Sequence, residues 1–460
     1  MVGRRRIGVA LALGIVLVLS LGGARALAMP GQVDPRYGYN GTLDITDALP
    51  GPEFQRGVLA EAVGPQDESV VLSYATRLCP VEPTCADLYV TRVLRDGTLD
   101  SGFGARAGVV ATVEWGAPHA AGEGPHGAIA VQPDGKVVVA AGDAISARVA
   151  RLNPDGSHDA TFRNPAEPGR PAGEVSVLLG GATTVTDLAI RRGGEVVVAG
   201  CSWSGRPGFF VAQLLSDGQR DEQFGLHGIR FDNFQPGGVP GDIALRGATT
   251  LVGGTASFAE SGSSMALAEL DATGTLSRAI RVKLPKRVGA GKPRGIASVL
   301  PGPKGSTFVV GSAAKGTFVA KYGRDGKLDR GYRDGGYALL KGLTSETPSS
   351  AVIDSKGRVI VLGWRLDVPD TMGFRARYVA TVRLLPGGRV DPTYGGVRPL
   401  LVVEERGQRV GLDISRSVGL VQRSDGLLIM LGEAPADRYA RVPSGPNFGL
   451  VRYLGGGRLP

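Results

Sequence analysis

The chain has 460 residues, with 72 glycines, 30 prolines and few aromatics, a composition that suits short strands joined by tight turns better than long helices. Its length allows two or three ordinary domains or one closed repeat architecture. The formal charge of +9 is modest for the length and partly N-terminal, and no basic stretch is interleaved with stacking aromatics, so nucleic acid is not an expected partner.

Residues 1–28 read as an export signal. Arg4, Arg5 and Arg6 precede an apolar run from Ile7 to Leu21, and Ala26-Leu27-Ala28 supplies the small residues of a cleavage site. The run is shorter than the ~20 apolar residues of a spanning helix, although retention as an uncleaved anchor stays open. Residues 29–460 then form a single exported domain, secreted or held at the cell surface, with no transmembrane segment and expected to be a monomer. Cys79 and Cys85 bracket a loop containing Pro80 and Pro83 and read as a local disulfide, which an oxidising compartment permits. Cys201 ends an apolar strand and reads as a small buried hydrophobe.

A tract of form Asp-x-x-aromatic recurs at Asp34/Tyr37, Asp100/Phe103, Asp159/Phe162, Asp221/Phe224, Asp329/Tyr332 and Asp391/Tyr394, with a degenerate copy at Ser277/Ile280. Successive copies are 66, 59, 62, 56, 52 and 62 residues apart, the mark of a repeated supersecondary unit. An alternating strand and an Asp-Gly turn precede most copies, as in Val149-Ala150-Arg151-Leu152 before Pro154-Asp155-Gly156. Between tracts lies a hairpin, clearest in Ala128 to Val131, the turn Pro133-Asp134-Gly135, and Lys136 to Ala140. With the apolar segment after each aromatic, the unit holds about four strands, the content of a propeller blade.

The ends of the chain argue for closure. The protein finishes Gly457-Arg458-Leu459-Pro460, while Gln32-Val33-Asp34-Pro35-Arg36-Tyr37-Gly38 stands near the start, so one repeat is split between the termini. Pairing first and last strands in one blade removes two exposed sheet edges. The fold expected is all-β: a seven-bladed β-propeller of four-stranded blades, closed by a blade shared between the N- and C-termini.

The repeat form "apolar-Ala-Arg-Leu-x-x-Asp-Gly-x-Leu-Asp-x-x-Phe-Gly", alternating with "Ala-x-Gln-x-Asp-Gly-Lys-Val-Val-Val-Ala-Gly", resembles the bacterial delta-60 repeat family over residues 32–460, best at Val90 to Gly104, Ile129 to Gly142 and Val149 to Phe162. The resemblance implies an exported or surface repeat protein and names no shared reaction.

Eight residues before each tract stands one polar residue on an otherwise apolar strand: Arg92, Arg151, Gln213, Glu269, Lys321, Arg383 and Arg452. Two readings follow. Long stems pack between blades with their heads on turn carboxylates or carbonyls, or Arg92, Arg151, Lys321, Arg383 and Arg452 form an anion-binding ring facing the axial channel. The tract aromatics read as packing anchors. The Asp-Gly-x-x-Asp turns lack the oxygen set that calcium requires, so no metal is expected there, and no cofactor elsewhere. His119, His126, His158 and His227 have no metal-ligand spacing, and no nucleophile elbow or phosphate loop is present. The functional expectation is a noncatalytic scaffold binding a protein or an anionic envelope polymer. The alternative is a carbohydrate-active hydrolase or lyase, which requires carboxylates or a His and Tyr converging on the axis.

Overall fold

The computed structural model describes residues 30–48, 56–77, 85–104, 109–117, 126–202, 208–232, 239–258, 262–285, 295–313, 315–341, 343, 350–366, 377–395, 400–405, 408–413, 416–434 and 447–454. The expected export segment lies outside them. So does Cys79, while Cys85 opens a strand opposite Arg77.

Seven antiparallel blades form a ring. Blade 1 comprises Arg56–Val63, Ser69–Arg77, Cys85–Val93 and Val109–Ala117; blade 2 comprises Gly127–Val131, Val137–Gly142, Ser146–Leu152 and Glu174–Leu178. Blade 3 holds Thr183–Ile190, Val196–Ser202, Gly208–Leu214 and Ile229–Asp232, and blade 4 holds Val239–Arg246, Thr249–Phe258, Gly262–Leu270 and Leu276–Val282. Blade 5 is built from Gly295–Pro301, Thr307–Ala313, Gly316–Tyr322 and Tyr337–Leu340. In blade 6 the described sheet has three strands, Ser350–Ile353, Val359–Leu366 and Arg377–Leu384. Blade 7 joins Arg416–Gln422, Leu428–Ala434 and Asn447–Tyr453 to the N-terminal Thr42–Asp44, which pairs with the last of these through Leu43 opposite Leu450.

Each blade's first strand is the inner one and packs against the inner strands of its neighbours, blade 7 against blade 1 included. The core follows the same plan. Seven apolar clusters each combine residues of two adjacent blades, so the hydrophobic interior consists of seven interblade layers rather than one central mass. The second strands supply the continuous apolar runs that a strand buried on both faces requires, as in Val196-Val197-Val198-Ala199, all at 0% exposure.

Two departures from the regular unit are local. After the blade 6 tract, Leu400–Glu405 pairs with Gln408–Asp413 as a separate hairpin. Only two residues, Arg406 and Gly407, separate the two strands in sequence. In blade 4, where the tract is degenerate, the chain runs directly into the outer strand Leu276–Val282, and the blade still has four strands.

Five of the inner strands share a bulge among the described residues. Register skips one residue between Val58 and Ala60, Val185 and Asp187, Pro240 and Asp242, Ile296 and Ser298, and Ser417 and Gly419. A bulge re-aims the side chain that follows it. That position reads Ala60, Ala128, Asp187, Asp242, Ser298, Ser350 and Gly419 around the ring, from the equivalent pairings in all seven blades.

Candidate functional site

The cation series lies on the third strands, two strands out from the axis. The tract brings its carboxylate back to the same strand. Asp391 N–H donates to the Arg383 carbonyl at 2.9 Å, Asp391 Oδ1 accepts from Thr393 N and Oγ1, and Asp391 Oδ2 accepts from Arg383 Nε at 2.8 Å. The arrangement repeats as Arg151–Asp159 at 2.7 Å, Arg92–Asp100 at 2.6 Å and Lys321–Asp329 at 2.9 Å. Across the chain ends it recurs as Arg452–Asp34 at 3.0 Å, joining the split repeat.

Each arginine head also stacks on its tract aromatic: Arg92 on Phe103, Arg151 on Phe162, Arg383 on Tyr394 and Arg452 on Tyr37, at 4.4 to 4.8 Å. The rings are buried, Phe103, Phe162 and Phe224 at 0%, and so offer no exposed stacking face. Burial opposes ionisation of Asp391, but the Thr393 hydroxyl and amide and the Arg383 guanidinium together hold its carboxyl below the usual range. Asp159 is held down in the same way, against burial, by Thr161, Lys136 and Arg151.

The heads then cross the seam. Arg92 Nη1 donates to Pro154 O, Arg151 Nη1 to Ser216 O at 2.6 Å and Arg452 Nη1 to Arg95 O at 2.7 Å, each carbonyl lying in the next blade's turn. The residue after the aromatic adds a backbone bond to the same turn, as in Gly104 N to Asp155 O and Arg163 N to Asp217 O, both at 2.8 Å. The aromatic fills the space under that turn. At Gly218, with φ +93, an added Cβ would lie 2.9 Å from Arg163 N and 3.2 Å from the Phe162 ring, so glycine is required by both conformation and contact.

Blades 3 and 4 solve the same problem with other residues. In blade 3, Gln213 donates to Asp221 at 2.7 Å and accepts from Arg191 Nε at 2.7 Å, so the cation comes from the inner strand's end. In blade 4 the polarity is reversed. Glu269 receives Arg246 at 3.1 Å and Arg278 at 3.0 Å, and Arg278 replaces the missing aromatic beneath the blade 5 turn, where a Cβ on Gly326 would lie 2.5 Å from its Cδ.

A second polar series stands four residues beyond the bulge position: Gln132, Arg191, Arg246 and Arg423. Arg191 donates to Ala248 O at 2.9 Å and Arg246 to Gly305 O at 3.2 Å, each in the next blade's first turn. Gln132 reaches Gly194 O at 3.5 Å, a weak version of the same link. Sequence reasoning missed this series because its partners lie a full repeat away; the Gln of "Ala-x-Gln-x-Asp-Gly" was the available signal.

At the bulge position of the inner strands stand the carboxyls of Asp187 and Asp242. Asp187 Oδ2 accepts from Ile243 N of blade 4 at 2.9 Å and its Oδ1 from Leu188 N at 2.8 Å, while Asp242 accepts from Val299 N of blade 5. Ser298 continues the staircase by accepting from Ala351 N of blade 6 at 3.0 Å. Enclosure by the surrounding inner strands raises both carboxyls; for Asp242 the neighbouring Asp187 charge adds to it, and the two side chains hydrogen-bond to each other. Both effects favour the protonated form of Asp242. Among the described residues no group of three or more His, Cys, Asp and Glu could hold a metal ion. Cys201 is buried, and its thiol is pushed up to about 11 by burial, which makes it a poor nucleophile.

An open groove of about 550 Å³ lies between blades 1 and 2, lined by Glu68, Arg92, Asp100, Asp134, Pro133 and Pro154 among others. Here the repeated ion pair is partly accessible, with side-chain exposures of 17% for Arg92 and 16% for Asp100 against 2% and 4% for Arg383 and Asp391.

No curated protein matches the chain. Among solved structures it is similar to the Dos1 propeller, with 8% identity, TM-score 0.41, and coverage of 87% of this chain and 93% of that one. It is also similar to prolyl oligopeptidase B from Galerina marginata, with 11% identity, TM-score 0.41, and coverage of 85% of this chain and 48% of that one. A third is Drosophila Plexin A, solved in complex with Semaphorin 1b, with 11% identity, TM-score 0.37, and coverage of 92% and 88%. The family described as "Domain of unknown function (DUF5122) beta-propeller" matches residues 132–162 and 194–224, each running from the inner hairpin's turn to a tract aromatic. Repeat, ring and family match agree that this is a seven-bladed β-propeller built from a degenerate propeller repeat.

Proposed function

We propose that the chain is an exported, noncatalytic propeller scaffold of the delta-60 repeat type, which binds a protein or an anionic envelope polymer. The observation carrying this reading is the use already made of the interior polar groups. The series cations are held by carboxylates and turn carbonyls, and the inner-strand carboxyls are held by backbone amides of the next blade. An anion approaching Arg151 or Arg383 would have to displace Asp159 or Asp391. The second strands end and the third strands begin on one face of the ring, and the number of residues between them differs from blade to blade, whereas the Asp-Gly turns of the opposite face are short and uniform. Binding specificity belongs on the variable face. No helix among the described residues is long and apolar enough to cross a membrane.

The test is retention of the mature chain on isolated cell envelopes and on neutral and anionic glycans across a salt series. Retention lost with rising salt supports a polymer partner, salt-insensitive capture on envelope protein supports a protein partner, and no retention anywhere overturns the reading.

The second reading is the carbohydrate-active enzyme, for which Asp187 and Asp242, hydrogen-bonded to each other, stand closer together than a glycosidase pair. A glycosidase requires two carboxyls about 5 Å or more apart, flanking the sugar, with one able to give up a proton. Asp187→Asn and Asp242→Asn separate the readings. Lost stability without any glycan cleavage in the parent protein supports the scaffold, and cleavage abolished by either change supports the enzyme.

A further inference from the structure

One residue along from the bulge position, six inner strands carry a buried aliphatic side chain: Ile129, Leu188, Ile243, Val299, Ala351 and Leu420. Blade 1 carries Glu61 there, opposite Val71. Part of the residue touches the channel, yet both carboxyl oxygens are sealed from solvent and neither has a hydrogen bond of good geometry. Across the closing seam blade 7 presents Gly419, at which an added Cβ would lie 3.8 Å from Glu61 Cβ and 4.0 Å from Oε2. The groups facing the carboxyl are the Ser69 hydroxyl on its own blade and the Leu431 backbone of blade 7. The Tyr37 phenol from the N-terminal segment is also close enough for the Glu61 charge to disfavour its ionisation, and its buried hydroxyl faces the same Ser69 side chain. Arg423 and Arg452 act on the same Tyr37 phenol and favour its ionised form.

We propose that the seam between blades 1 and 7 is a proton-linked latch, in which Glu61 is neutral while the ring is closed and its ionisation loosens that seam. A neutral carboxyl occupies an aliphatic site at modest cost, whereas a charge there loses its hydration in an enclosure where the other blades place aliphatic side chains. Burial lifts the group from 4.5 to about 8, with Ser69 and the Leu431 backbone only partly offsetting it. A raised folded-state value means that the folded protein binds the extra proton. The stabilisation is complete below 4.5 and is lost as pH rises towards about 8. The seam lies next to the ring's noncovalent closure, the pairing of Thr42–Asp44 with Asn447–Tyr453 inside blade 7, so weakening it loosens the packing of blade 1 on the blade that holds both chain ends.

The experiment is denaturant unfolding of the mature chain and of E61Q across this pH range, together with hydrogen exchange. The wild-type unfolding constant is expected to rise on the order of a thousandfold more than that of E61Q over the interval. Exchange in Arg56–Val63 and Arg416–Gln422 should accelerate beyond its intrinsic pH dependence, and ahead of Gly295–Pro301, in the wild type alone. Parallel stability profiles overturn the proposal. Should E61Q fail to fold, wild-type exchange decides: acceleration confined to the two seam strands supports the latch, and uniform acceleration across the inner strands overturns it.

Discussion

At Arg383, burial and charge oppose each other, and the partner decides the outcome. Its side chain is 2% exposed and is held by Asp391, itself 4% exposed. Removing one member leaves an uncompensated buried charge, at a typical cost of about 3–5 kcal/mol, whereas removing both together costs far less. Arg383→Ala should therefore lower the urea midpoint strongly, and Arg383→Met with Asp391→Ala should restore much of it; equal losses would mean that the cation, not the pairing, matters. Asp67 presents a different balance. It adopts φ 63 at a turn where other blades use glycines such as Gly135, Gly194 and Gly426, and its carboxylate accepts from Ser424 N at 2.7 Å and Ser424 Oγ at 2.8 Å across the closing seam. The conformation costs about 1–2 kcal/mol, while a hydrogen bond to a charged group contributes about 1.5–3. Asp67→Gly should thus destabilise despite relieving strain, and a gain in melting temperature would assign the latch no value. The Arg-to-Asp spacing was legible in the sequence because both partners lie within one repeat. Arg191, Arg246 and Arg423 were not, because their carbonyl partners belong to the next blade, and no local spacing encodes a contact made a full repeat or more away.

Blades 3 and 4 show that the repeat conserves a balance of charge at a location and not a residue type. The missing consensus at Ser277 left the sequence reading without a statement about that blade; the structure shows Glu269 accepting two arginines while Arg278 takes the aromatic's place. Consensus restoration therefore fails in both blades. Gln213→Arg would place a second guanidinium against Arg191, whose own protonation is already disfavoured by burial. Glu269→Arg would gather three cations around one strand. Both variants should melt below the wild type, with Glu269→Arg falling further than Glu269→Gln, and a stabilised Gln213→Arg would refute this account of blade 3. The four-strand count was legible from alternating patterns, but the separate hairpin after the blade 6 tract was not, since Leu400–Glu405 has the pattern of an outer strand and only its pairing with Gln408–Asp413 sets it apart.

The whole ring converts these local choices into a single pH profile. Two sets of carboxyls act with opposite sign. Asp34, Asp159, Asp329 and Asp391 are all held below the usual 3.8; Lys321 is the main cause for Asp329, while in the other three burial is outweighed by their partners. Their stabilisation is present above 3.8 and is lost as pH falls below it. Asp187, Asp242 and Glu61 are raised by enclosure, so their stabilisation is complete at acid pH and fades as pH climbs, for Glu61 towards about 8. The first set was anticipated by the repeat. The second was not, because an acidic residue on an inner strand looks like any other until closure surrounds it. The two limbs meet near pH 4–5, on the acid side of the range of about 5–8 where most proteins are most stable. Melting temperature measured across pH should therefore peak there, and E61Q combined with Asp242→Asn should flatten the alkaline limb while leaving the acid limb in place. A wild-type maximum at pH 7 to 8 would mean that the interior carboxyls are ionised in the folded ring, and that their backbone and hydroxyl neighbours outweigh the enclosure that seven blades impose on them.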